Sequence, residues 1–136
     1  MERHDWVLAT LAATGDEPLT PVQLQKSLFL LAQGRPKVVG KGFYQFRPYS
    51  YGPFDSSVYH DAEALAEEGL VTISRPNLGT RQYRITTAGT KAAKALDLTT
   101  QARNRLKKIV DEVTSLSRLI GAHGRAARGG GEAWKV

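Results

Sequence analysis

Residues 59–71, YHDAEALAEEGLV, decide the fold of this chain, because a helix ends and a strand begins within them. Ala62 and Leu65 are three positions apart, which places them on one face of a helix and predicts that this face is buried. Gly69 comes directly after the helical pattern, where a glycine in the left-handed conformation ends many helices. Leu70 then opens an alternation of apolar and polar residues that predicts a strand.

Turn and capping residues extend this pattern in both directions. Residues 70–74 and 81–86 alternate in polarity, and the intervening RPNLGT is typical of a turn, so together they predict a β-hairpin. Asp55 can cap the helix that precedes the hairpin, and Thr86 or Thr87 can begin a short helix that follows it.

Two further helices are predicted nearer the N-terminus. Asp5 can cap a first helix that ends before Gly15. Thr20 and Gln23 have the spacing of a capping box, which predicts a second helix that ends near Gly34. Each of these helices carries leucines at helical spacing, as expected for faces that contribute to one core.

The interval between the second and third helices has a less regular pattern. We interpret residues 34–42 as a plain turn, residues 43–47 as a short strand and residues 48–54 as a rigid, aromatic-rich connection. The aromatic side chains of this interval are expected in the core and the turn, with a small-molecule pocket as the alternative.

The last helix is predicted over about residues 100–120 and carries a heptad pattern. Its apolar residues step by three and four positions, which favours pairing with a second chain and predicts a homodimer. Packing of the same face against its own domain is the alternative. The Gly-rich residues 121–136 are expected to be a disordered basic tail. The expected dimerisation residues are Leu106, Ile109, Val113, Leu116 and Ile120.

Composition and charge limit the class of protein. No cysteine is present for disulfides or thiolate metal sites, and no apolar run approaches the roughly 18 residues of a membrane span. We therefore expect a cytoplasmic protein with no membrane partner. The formal net charge is +6, yet residues 1–69 hold 6 basic and 9 acidic side chains, whereas residues 70–136 hold 13 and 4. This asymmetry predicts a basic surface for phosphates and a separate acidic surface.

The order of the predicted elements indicates a fold class. Helix, helix, strand, helix, hairpin and helix predict a mainly α fold with a small β wing, namely a winged helix–turn–helix followed by a long C-terminal helix. In this interpretation residues 1–98 form the winged-helix domain, residues 99–120 form a dimerisation helix and residues 121–136 form the tail.

Two local resemblances bear on function. Residues 59–71 and 81–89, the latter RQYRITTAG, resemble the recognition-helix end and the wing of PadR- and MarR-type regulators. This resemblance implies a winged helix that binds DNA. Residues 24–31 (LQKSLFLL), the turn Tyr51-Gly52-Pro53 and then Tyr59 are similar to SocA-like antitoxin (Panacea) and YwgA-type domains. This second resemblance implies a module that binds protein.

The favoured function is therefore a dimeric transcriptional regulator that binds double-stranded DNA. Arginines on a wing can clamp phosphates, and the start of a recognition helix can approach base edges. The alternative is an antitoxin-like module that binds a basic protein partner, because the third helix is acidic and lacks lysine and arginine. The expected DNA-binding residues are Ser56, Ser57, His60, Arg75, Arg81, Arg84 and Lys91.

Enzymatic function is not expected from the sequence. His4, His60 and His123 lie far apart and have no metal-ligand spacing. No nucleophile elbow or dinucleotide fingerprint occurs. We therefore predict no catalytic residue, metal or cofactor.

Overall fold

The computed structural model describes the backbone of residues 1–123 and the side chains of residues 1–115. This part of the chain is mainly helical and has two small antiparallel β-hairpins and a long last helix, which confirms a mainly α class with a small β component. In chain order the elements are α1 (Arg3–Ala12), α2 (Pro21–Gly34), α3 (Pro36–Val39), β1 (Arg47–Tyr49), β2 (Gly52–Phe54), α4 (Ser56–Glu67), β3 (Val71–Ser74), β4 (Gln82–Ile85), α5 (Thr87–Lys94) and α6 (Thr100–His123).

Side-chain caps determine where the first two helices begin. The capping box of α2 is formed as predicted. The backbone N–H of Gln23 donates to Thr20 Oγ1 at 3.2 Å, and the backbone N–H of Thr20 donates to Gln23 Oε1 at 2.9 Å. The prediction that Asp5 caps α1 is wrong by one turn. The Asp5 carboxylate instead reaches back to accept from Glu2 N at 2.9 Å, so α1 begins at Arg3.

The end of α4 confirms the prediction from Gly69. Gly69 has φ +79°, and its N–H donates to Ala66 O at 3.0 Å. Leu70 N donates to Leu65 O at 3.0 Å, which completes the bond pair of a Schellman motif. The left-handed glycine turns the chain directly from α4 into β3.

The wing hairpin gains a third, single-residue strand from the loop before α2. β3 and β4 pair antiparallel in the register Val71↔Ile85 to Ser74↔Gln82. Leu19 exchanges two backbone hydrogen bonds with Tyr83, at 2.8 and 2.9 Å, on the free side of β4. The resulting order is Leu19, β4, β3, which ties the start of α2 to the wing.

The segment between α2 and α4 differs from its prediction. Residues 43–47 do not form a strand, because the adjacent side chains of Phe43 and Tyr44 are both buried and therefore do not alternate. Strands β1 and β2 lie later, in the stretch expected to be a connection, and pair across a turn at Ser50 and Tyr51. The expected turn contains the short helix α3, which has Pro36 at its first position.

The heptad face of α6 packs inside its own chain. Leu106, Ile109 and Val113 are only 1%, 1% and 3% exposed, and they belong to the same core as α1, α2 and α4. Helix α2 is the main partner of α6. The prediction that these three residues form a dimer seam is therefore wrong, since no free face is left there. Because α6 completes the core, residues 99–120 are also not a separate unit.

The C-terminal predictions fall partly outside the described residues. The side chains of Leu116 and Ile120 are not among those described. Helix α6 continues to His123, and the rest of the predicted tail, residues 124–136, lies beyond the described part of the chain. Between residues 1 and 123, no helix combines the length and the apolar character needed to cross a membrane.

Gly89 is required by close packing between α5 and the start of the wing. A Cβ at this position would lie 2.0 Å from Leu70 O and 2.7 Å from Ile85 Cγ1. The contact is held by Thr86, whose Oγ1 donates to Gly69 O at 2.7 Å and accepts from Gly89 N at 2.9 Å. The TTAG stretch therefore combines a helix cap with a backbone contact that only glycine allows.

Gly89→Ala should destabilise the protein by at least about 2 kcal/mol, because the Leu70 backbone cannot move without breaking the wing. Gly34→Ala is the matched control. The new Cβ there meets only the flexible guanidinium of Arg105, at 3.1 Å, and alanine favours the helix by up to about 1 kcal/mol. Urea denaturation measures both variants. Equal midpoints for the two would contradict this account of Gly89.

Candidate functional site

Asp55 joins α2, the aromatic hairpin β1–β2 and α4. Both of its backbone groups bond the buried side chain of Gln25: Gln25 Nε2 donates to Asp55 O at 2.9 Å, and Asp55 N donates to Gln25 Oε1 at 3.0 Å. The Asp55 carboxylate accepts from Ser57 N at 2.8 Å and from Gln45 N at 2.7 Å. The cap predicted at Asp55 is thus confirmed, and the same carboxylate holds the segment just before β1 against the start of α4.

A second polar junction connects the first helix to the same region. Arg3 Nε donates to Asp61 Oδ2 at 2.9 Å, and the Tyr44 hydroxyl donates to the same oxygen at 2.6 Å. The Arg3 guanidinium also lies 4.8 Å from the centre of the Tyr44 ring. Burial raises the pKa of Tyr44, and its hydrogen bond to Asp61 raises it further. These contacts neutralise one of the acidic residues of α4.

Aromatic rings run in contact from the hairpin to the wing. The centroids of Tyr49 and Phe54 are 5.3 Å apart, and those of Phe54 and Tyr59 are 5.6 Å apart. Tyr59 in turn stacks on Tyr83, at 6.4 Å and 5° between the ring planes. Tyr49 is 59% exposed and Tyr51, at the turn of the hairpin, is 71% exposed. The Tyr49 ring is therefore held at the surface by its contact with Phe54, and Tyr51 is exposed at the turn beside it.

An acidic side chain of α4 lies next to these aromatic rings. Glu63 lies one helical turn after Tyr59 and is exposed. Burial raises the pKa of Tyr83, the Arg81 guanidinium opposes that rise, and the Glu63 carboxylate adds to it. Both charges therefore act on the Tyr83 hydroxyl. We define the hairpin–helix face as Tyr49, Tyr51, Phe54, Tyr59 and Glu63.

The hairpin presents side chains to the solvent rather than an edge for strand addition. Pro48 faces Pro53 in the register of β1 and β2. Neither residue has an N–H, so this pair occupies the position whose donors would point away from the hairpin. Both outer edges therefore lack a backbone N–H donor at their centre.

The sequence-predicted residues of α4 lie next to acidic groups. Ser56 and His60 are exposed, and Ser57 is half-buried, with its N–H bonded to Asp55. The Asp55 carboxylate already occupies the end of the helix that would attract a phosphate. No lysine or arginine occurs between residues 56 and 67.

The predicted wing arginines are exposed but bonded to their own chain. Arg75 donates to Leu78 O at 3.0 Å and to Gly79 O at 3.1 Å, which locks the tip of the wing. At the tip constrained by these bonds, Leu78 has a positive φ and 84% of its surface is exposed. Arg84 Nη1 donates to Asp16 O. The side chains therefore stabilise the wing and its contact with the loop before α2.

The predicted cations do not converge on one surface. Arg81 lies just before β4 and Arg84 lies within it. Because they are three positions apart in extended chain, their side chains lie on opposite faces of the wing. Arg81 lies near Tyr83, on the side of the hairpin–helix face. Lys91 is exposed on α5, in the last turn of that helix.

The residues that organise this region were missed by the sequence analysis. Gln25 interrupts an otherwise apolar helix face, and a buried polar residue of this kind is one available signal for a junction. The partnership of Arg3, Tyr44 and Asp61 spans residues far apart in sequence and left no local signal.

Comparison with known proteins adds no family assignment. Neither the protein-family models nor the curated proteins that were searched match the chain. The resemblances to PadR- and MarR-type regulators and to SocA-like and YwgA-type domains therefore rest on local motifs alone.

Tyr44→Phe should lower the free energy of unfolding by about 1–3 kcal/mol, because a hydrogen bond to a charged carboxylate is lost. Tyr49→Phe is the matched control, since its ring is exposed, and it should change stability little. Because the pKa of Tyr44 is raised in the folded state, its contribution is lost as the pH rises above about 10.

Urea denaturation at neutral pH and in this alkaline range measures both effects. Tyr44→Phe should lose less stability on going to high pH than the unsubstituted protein does. An equal loss in the two would mean that Tyr44 is not held protonated by the fold.

Proposed function

We propose that the chain is a winged-helix module whose function is to bind a protein partner. The winged-helix assignment is supported by the order α1, Leu19 strand, α2, α4, β3, β4 and by the sheet order in which β4 lies between Leu19 and β3. In such a fold α4 occupies the place of the recognition helix and β3–β4 forms the wing.

The observation that carries the function is the hairpin–helix face. A hairpin stiffened by two prolines holds Tyr49 and Tyr51 out into solvent, beside an acidic helix. Rigid, exposed tyrosines lose little conformational entropy on binding and are enriched where proteins contact one another. Their position at the start of α4 puts them where a DNA duplex would have to approach a recognition helix.

The carboxylates of α4 indicate the chemistry of the partner, and Arg81 lies beside Tyr83 on the same side. Glu63 and Glu67 are exposed, and Glu68 follows at the end of the helix. Carboxylates beside tyrosine rings favour arginine or lysine. These cations form charge-assisted hydrogen bonds with the carboxylates and cation–π contacts with the rings. The partner is therefore a basic protein segment that also carries apolar side chains.

Duplex DNA is the second candidate, with the chain acting as a cytoplasmic transcriptional regulator. It is favoured by the exposed cations Arg75, Arg81, Arg84 and Lys91, which belong to the wing and to the helix that follows it. It is opposed by the acidic surface of α4 and by the arginine side chains that already bond the protein's own carbonyl groups.

An array of short random peptides tests the first candidate. Bound peptides should be enriched in arginine and lysine next to apolar residues, and binding should weaken in Tyr51→Ala and in Glu63→Lys. Leu78→Ala is the control, because Leu78 is equally exposed but lies on the wing tip. Bound peptides with no basic enrichment, or binding that neither variant changes, would contradict a partner surface here.

A gel-shift titration in a salt series separates the two candidates. We expect no binding to random duplex DNA at about 50 mM salt. The double substitution Glu63→Gln and Glu67→Gln acts in opposite directions, since it should weaken peptide binding but relieve repulsion of DNA. Tight DNA binding whose salt slope falls by about 1 per lost contact in Arg81→Ala and Arg84→Ala would establish the second candidate instead.

A further inference from the structure

A groove separate from the hairpin–helix face lies between α1, α5 and the start of α6. Its volume is about 380 Å³, within the range of small-molecule sites. Ala9, Ala12 and Ala93 form part of its floor, and Leu98 and Leu106 contribute apolar surface. The space exists because alanines stand where larger side chains would fill the gap between the three helices.

The charged side chains that line the groove are all cationic. Lys94, Arg103 and Lys107 line it, and no aspartate or glutamate does. Arg103 is fixed in place, because its guanidinium donates to Leu96 O at 2.9 Å and to Ala93 O at 3.3 Å. Lys94 is exposed and belongs to the last turn of α5. Positive charge therefore surrounds an apolar floor.

Uncharged polar groups complete the lining, and an ion pair at one of its cations can be replaced by a bound anion. Thr90 and Asn104 also line the groove and can donate hydrogen bonds. Lys107 Nζ lies 3.7 Å from Asp111, but both side chains are exposed, and such a pair is weak enough for a bound anion to compete with it.

We propose that this groove binds a small amphipathic anion, a carboxylate with a short aliphatic body. The aliphatic body lies on the alanine floor, where its apolar surface leaves water. The carboxylate lies at the rim, where the ammonium groups of Lys94 and Lys107 donate to it. The lining contains no carboxylate that would pair with a cationic ligand, and an uncharged ligand would leave the cations of the rim without a ligand charge to pair with.

The ligand site is independent of the proposed partner surface. The hairpin–helix face belongs to β1, β2 and α4, whereas the groove belongs to α1, α5 and α6. They are connected through the core, since α1 packs against both α4 and α5 and α2 packs against both β2 and α6. Loss of one binding activity would therefore leave the other measurable.

NMR titration of the intact protein with octanoate tests the proposal. Amide shifts should concentrate at Ala12, Thr90 and Asn104 and should saturate. Acetate has the charge without the body, and octylammonium has the body with the opposite charge, so both should bind much more weakly. Equal binding of octanoate and octylammonium, or shifts concentrated outside the groove, would overturn the proposal.

Two kinds of variant test the geometry. Lys94→Gln with Lys107→Gln should weaken octanoate binding about three- to tenfold, because two partly exposed charges are removed. Lys91→Gln with Lys108→Gln makes the same change on the same two helices outside the groove and should have little effect. Similar losses in both pairs would show attraction by net charge only and would overturn the site.

Ala12→Leu should fill the floor and abolish binding while the protein remains folded. Ala12 is the last residue of α1 and is only half-buried, so the added side chain can be tolerated. Unchanged binding in a folded Ala12→Leu protein would overturn the site. If the variant unfolds, the two lysine pairs still decide the matter.

Discussion

The bond pair between the Gln25 amide and the backbone of Asp55 is the constraint on which the rest of the structure depends. A buried glutamine on α2 replaces the backbone partners that a strand would supply, so the chain can leave the hairpin and enter α4 without unsatisfied groups. The Asp55 carboxylate then caps the helix and holds Gln45. One residue thus sets where α4 starts and where the aromatic hairpin lies.

Charge is separated in space more clearly than it is in sequence. Asp61 is matched by Arg3 and Tyr44, which leaves Glu63 and the carboxylates after it as the exposed charges of α4. Lys94 of α5 and Lys107 of α6 lie around the alanine groove instead. The exposed carboxylates of α4 and the lysines of the groove therefore lie on different parts of the fold.

The resemblances to regulators and to antitoxin-like domains concern different parts of this arrangement. The motifs shared with regulators lie at the end of α4 and in the wing, where Gly69 and Gly89 satisfy backbone geometry. These motifs therefore concern the backbone geometry of the fold. The motifs shared with antitoxin-like domains include Gln25 and the Tyr51 turn, which build the hairpin and its junction with α4. Gln25 is buried, so of these two features only the exposed Tyr51 turn belongs to the surface.

The sequence by itself determined the features that depend on neighbouring residues. The capping box at Thr20, the cap at Asp55 and the left-handed end at Gly69 each use a donor and an acceptor within a few positions, so spacing alone predicts them. Only tertiary structure decided which surface the heptad face of α6 meets. Apolar spacing specifies that a partner helix exists but not whose it is, and here α2 of the same chain buries Ile109. Likewise, the charge of Arg84 is visible in sequence, but a carbonyl group distant along the chain decides what its side chain binds.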